Sequence, residues 1–99
     1  MTDELDQKAY LDGLSAEIEV GEEAKRFLES DLGRCIVGIV DQRITDAHTQ
    51  LEEINPEDTT GVLRLQESIK LSRDFTQWLN QLVTDGEQAL LTWAQHRST

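Results

Sequence analysis

The chain has 99 residues, 20 of them acidic and 9 basic, for a net charge of −11. Such a surface repels phosphate backbones, so direct nucleic-acid binding is not expected. A chain of this length supports one thin core at most, and apolar residues at 37% with aromatics at 5% are few for a self-sufficient monomer. The longest apolar run, Cys35 to Val40, is six residues, far below the ~20 of a membrane span. Met1-Thr2-Asp3-Glu4 is acidic, so no secretory signal is expected, and a single cysteine suits a cytoplasmic setting.

The first segment, residues 1–21, reads as an acidic N-terminal arm. Residues 1–31 hold ten acidic and three basic residues. Leu5, Tyr10, Leu11, Leu14, Ile18 and Val20 are scattered apolar positions, with Gly13 and Gly21 as breakers. A short helix over residues 3–11 is compatible with this pattern, and charged termini tend to fray.

From Glu22 the helical period dominates, predicting a helix over about 22–54. At 100° per residue Ile36, Val40, Ile44, Ala47, Leu51 and Ile54 share an arc of roughly 80°, and Arg34, Asp41, Thr45, His48 and Glu52 cluster on another. Phe27, Leu28, Leu32 and Cys35 face a rotated direction. Gly33 and Gly38 each cost about 1 kcal/mol against alanine in a helix interior. They mark a bend or a close backbone approach, and a break at Gly33 is the alternative. The β-branched stretch Cys35–Val40 could form a strand, but no second strand exists to pair with it, so helix is expected.

Residues 55–60 form the turn. Pro56 disfavours helix at Asn55, and Asn, Asp and Thr side chains here can cap the next helix. The second helix is predicted over about 61–95. Val62, Leu65, Ile69, Ser72, Thr76, Leu79, Val83, Gly86, Leu90 and Trp93 alternate at three and four spacing. A second stripe, Leu71, Phe75, Trp78, Leu82 and Ala89, lies beside the first. Together they cover about half the helix circumference, more than one partner helix can bury. Residues 96–99 read as a frayed tail.

The fold class is therefore all-α: a long antiparallel αα-hairpin that associates into a homo-oligomeric helical bundle. The second stripe is the expected oligomer surface.

No catalytic, cofactor or metal site is expected. Cys35 and His48 are thirteen residues apart, about 20 Å along a helix, whereas nucleophile and base need about 3 Å. Cys35, flanked by Ile36 and Val37, reads as a buried inert thiol. His48 reads as an exposed partner of Glu52. The Glu-x-x-His pairs of di-iron bundles are missing, and Asn55–Gln66 lacks the glutamate and glycine positions of a calcium loop. Phosphate-loop motifs are also missing. Arg34, Arg43, Arg64, Lys70 and Arg73 are interleaved with acids, as on ordinary solvated faces with ion pairs.

Arg26-Phe27-Leu28-Glu29-Ser30-Asp31-Leu32-Gly33-Arg34, Asn55-Pro56-Glu57-Asp58, Phe75-Thr76-Gln77-Trp78-Leu79 and Gly86-Glu87-Gln88-Ala89 resemble small uncharacterised helical proteins of tailed bacteriophages and prophages. The resemblance spans roughly residues 24–90. It implies a virion, assembly or packaging accessory, in the host cytoplasm or the virion, and carries no catalytic residues. The expected function is thus a non-enzymatic, self-associating hairpin. The alternatives are an acidic regulator or inhibitor of a basic protein, which could mimic DNA, and an oligomerisation segment similar in role to the hairpin core of small terminase subunits. This chain lacks the basic helix-turn-helix that the last would carry.

Overall fold

The computed structural model describes residues 2–97. Among them are three helices, α1 (Thr2–Glu29), α2 (Asp31–Glu53) and α3 (Thr59–Arg97), and no strand. The all-helical class expected from the sequence is what the chain adopts. Its helices fall into two compact units, one formed by residues 2–27 and 79–97, the other by Leu28–Trp78.

The second unit is the antiparallel hairpin of α2 and the first half of α3. Its turn is built from local hydrogen bonds. Asn55 Oδ1 accepts from Glu57 N at 3.0 Å, and Asp58 N donates to Asn55 O at 2.9 Å. Asp58 Oδ1 then accepts from Gly61 N at 3.0 Å, which is the side-chain cap of α3. A Cβ on Gly61 would come within 2.7 Å of Ile54 Cδ1 and 2.6 Å of Asp58 Oδ2, so a larger residue there would make these side-chain ends shift. Ala47 and Ile69 are buried at the centre of the seam. Ile36, Val40, Ile44, Leu51, Ile54, Val62 and Leu65 are half-buried around them. Ser72 and Thr76 form a polar interruption in this seam, and Thr76 Oγ1 is buried without a hydrogen-bond partner.

The expected single helix over 22–54 is two helices. Its first residues belong to α1, and the chain breaks at Ser30, three residues before Gly33. Ser30 is extended (φ −75°, ψ 158°), and its Oγ accepts from Gly33 N at 2.9 Å. A serine N-cap with Asp31 in the first turn starts a helix afresh, and this local bonding outweighs continuation. The rotated direction of Phe27, Leu28, Leu32 and Cys35 was the sign of that break.

The expected acidic arm over residues 1–21 is instead the greater part of a 28-residue helix. It runs antiparallel to 79–97 in the first unit: Gly21 meets Gly86, and Gln7 meets His96. Gly21 is no breaker here. A Cβ on it would lie 2.8 Å from Gly86 Cα and 2.9 Å from Leu82 O, so the two backbones touch where both side chains are missing. Ala24 and Ala89 extend this contact and are buried. Half-buried Leu11, Leu14 and Ile18 on α1, and Leu82, Val83 and Trp93 on α3, complete the seam.

His96 and Arg97, expected in a frayed tail, are helical; the remainder of that tail, residues 98–99, lies outside the described residues. His96 is held at its ring: Gln7 Nε2 lies 2.7 Å from its Nε2, and the Tyr10 ring stands 6.0 Å away, centroid to centroid.

Candidate protein-interaction surface

The hairpin of the second unit has two long sides, one on either flank of its seam, and they differ in chemistry. One side is apolar. On α3, Leu71, Phe75 and Trp78 fall within about 60° of one another at 100° per residue. Leu71 is 70% exposed, Trp78 59% and Phe75 37%. On α2, Leu32, Ile36 and Ile39 share a similar arc, with Leu32 and Ile39 exposed. The two arcs meet in an open groove of about 330 Å³ lined by Ile36, Ile39, Val40, Arg43, Leu71, Ser72 and Phe75. Exposed apolar residues scattered singly are ordinary, whereas a set converging from two helices on one groove is an interaction feature.

The other side is polar. Gln66, Lys70, Arg73 and Gln77 recur at four, three and four on α3, beside Leu51 and His48 of α2. His48 was expected to pair with Glu52; its Nε2 instead lies 3.4 Å from Arg73 Nη2.

The structure places the expected interface residues in three settings. Ile36, Val40, Ile44, Leu51, Ile54, Leu65 and Ile69 are buried or half-buried within the hairpin. Leu79, Leu82, Val83 and Trp93 are buried or half-buried in the first unit, and Arg97 lies 4.8 Å over the Trp93 ring. Leu90 is exposed, because Ala89 takes the buried position beside α1. Besides Leu90, the expected interface residues that stand open are Leu71, Phe75 and Trp78.

This divides the wide stripe that the sequence shows on α3. Its Leu82 and Ala89 end meets α1 within the first unit, so part of the excess width is satisfied inside the chain. The reading of Cys35 as a buried thiol is corrected: it is exposed, because it lies on the open arc of α2 with Leu32 and Ile39.

Among the described residues no three His, Cys, Asp or Glu side chains are grouped as for a metal ion, and no helix is long and apolar enough to cross a membrane. Comparison with known proteins gave no matching family model, no matching curated protein and no matching solved structure.

Proposed function

We propose that this chain is a non-enzymatic, self-associating helical protein that joins copies of itself through the apolar side of the α2–α3 hairpin. The observation that carries the reading is the convergence of Leu71 and Phe75 with Ile36 and Ile39 on one open groove, with exposed Trp78 on the same arc of α3. Large aromatic and aliphatic side chains in such a position are the usual anchors of interfaces. The face also bears both signs of charge. Arg43 lines the groove, and Arg64, Glu67 and Asp46 fall on the same arcs of their helices. A two-fold interface sets a patch against itself, and mixed charge lets it pair rather than repel. The phage-like stretches around Ser30, Pro56 and Trp78 supply the process: an accessory in virion structure, assembly or packaging.

The test is absolute mass by light scattering across a size-exclusion peak, for the natural chain and for Phe75→Glu and Trp78→Glu. The expected result is a dimer or larger for the natural chain, and a smaller species for each variant with helical circular dichroism retained. A natural chain that stays monomeric at about 100 μM overturns the proposal.

A second reading, an acidic regulator binding a basic protein, draws on the net charge of −11. Salt separates the two readings. Self-association between like-charged copies holds or strengthens as salt screens their repulsion, whereas capture of a basic partner weakens steeply.

A further inference from the structure

The polar side of the hairpin carries a different chemistry, independent of self-association. Lys70 and Arg73, one turn apart on α3, line an open cavity of about 400 Å³ with His48 of α2. Small-molecule sites fall in this size range, with an apolar floor and a few convergent polar groups. Here the floor comes from Leu51 and from Ile69, which is buried.

The basic groups are poorly satisfied. In a chain with 20 acids and 9 bases, a lysine and an arginine would be expected to find carboxylates. Among the described residues, neither Lys70 nor Arg73 forms an ion pair. Asp74 lines the same cavity four residues after Lys70 and still does not pair with it. The contact of Arg73 Nη2 with His48 Nε2, at 3.4 Å, is at the outer limit of a hydrogen bond and uses one of five guanidinium donors. Two basic side chains from different helices thus face each other, with Asp74 the one carboxylate that lines this cavity and Glu67 beside Lys70 on its outer side.

We propose that this cavity is a binding site for a small organic anion, a phosphate ester or carboxylate with an apolar body. Arg73 offers the planar fork that matches a phosphate or carboxylate, Lys70 adds a point charge, and His48 donates from the facing helix. The apolar body lies against Leu51 and Ile69. The anionic group brings acceptors for the guanidinium donors of Arg73 that the long contact with His48 leaves unused. Long-range repulsion from the remaining acids is screened beyond about 8 Å at physiological salt, so the local cluster governs binding.

The experiment is a nuclear magnetic resonance titration of the full chain at about 0.15 M salt, with phenyl phosphate in one arm and benzoate in the other. The expected result is saturable movement of the His48 ring, the Arg73 side chain and the Lys70 side chain together, in one or both arms. Saturation with phenyl phosphate alone assigns a phosphate ester, and saturation with both assigns anions generally. Arg73→Ala and Lys70→Ala, both at exposed positions, should each weaken binding about tenfold while circular dichroism is unchanged. Shifts that do not saturate, that appear equally at Arg34 and Arg97, or that persist undiminished in Arg73→Ala overturn the site.

Discussion

The two units differ in how closely their helices approach. In the first, α1 and the end of α3 touch through their backbones, where Gly21 faces Gly86 and Ala24 and Ala89 are buried nearby. In the second, α2 and the start of α3 meet mainly through larger side chains, with Ile69 and Ala47 at the centre and Val40, Ile44 and Leu65 around them. Close backbone contact gains dispersion energy with little apolar side chain, and it tolerates no added atom. Side-chain packing accepts small changes of volume more readily. The difference predicts where the molecule is brittle and where it yields.

The sharpest test of this contrast is Gly21→Ala. On an undocked helical arm the change would stabilise by about 1 kcal/mol, because alanine is the better helix former. Against Gly86 the new Cβ would sit 2.8 Å from a Cα and 2.9 Å from Leu82 O, both backbone atoms that cannot swing aside. Forced separation of this kind costs about 1–3 kcal/mol. The expected outcome is a loss of about 2 kcal/mol in urea unfolding. Hydrogen exchange should also speed up over residues 2–27 and 79–97. A gain in stability would mean that α1 is not docked through Gly21.

The contrast also explains what could be read from the sequence. The hairpin seam was legible because large apolar residues repeat at three and four spacing from Ile36 to Ile54 and from Val62 onward, and because Asn55-Pro56 punctuates them. The α1 pairing was not, because its closest contact is made by glycine and alanine, which carry no hydrophobic signal, and because Gly13 and Gly21 break up the reading of Leu11, Leu14 and Ile18. Gly21 looks like a helix breaker until Gly86 is placed against it. The outer stripe was visible as a pattern, but its division could not be seen: Leu82 and Ala89 are covered only because α1 continues as a helix through both of its glycines. Lys70 and Arg73 were legible as basic residues; their convergence with His48 depends on the hairpin register, which the alternation of charges does not reveal.

Ser30 tests the second unit at its entry. Ser30→Ala removes the acceptor for Gly33 N and should cost about 1 kcal/mol, the usual worth of a serine N-cap. The sign is what matters. Were residues 22–54 one continuous helix, position 30 would be interior and alanine would stabilise by a few tenths of a kcal/mol. Urea unfolding of the variant reads the sign directly, and faster amide exchange at Gly33 would localise the loss to the cap.

The smallest expected effect comes from the glycines that touch nothing. A Cβ at Gly13 in the first unit, or at Gly38 in the second, meets no heavy atom within 4 Å. Both lie within helices, where glycine gives up more backbone entropy on folding than alanine does. Gly13→Ala and Gly38→Ala should therefore each stabilise by about 0.8 kcal/mol, read as a raised urea midpoint with unchanged slope. Gly13 and Gly21 lie eight residues apart on the same helix and have the same intrinsic propensity, so only their surroundings can separate them. Opposite signs for Gly13→Ala and Gly21→Ala would place the brittleness of the first unit in one backbone crossing rather than along the whole of α1. Equal gains would remove that crossing. Gly38 lies on the polar arc of α2 with Arg34 and Thr45, so a loss there would show that this back of the hairpin, and not only its apolar side, is covered in solution.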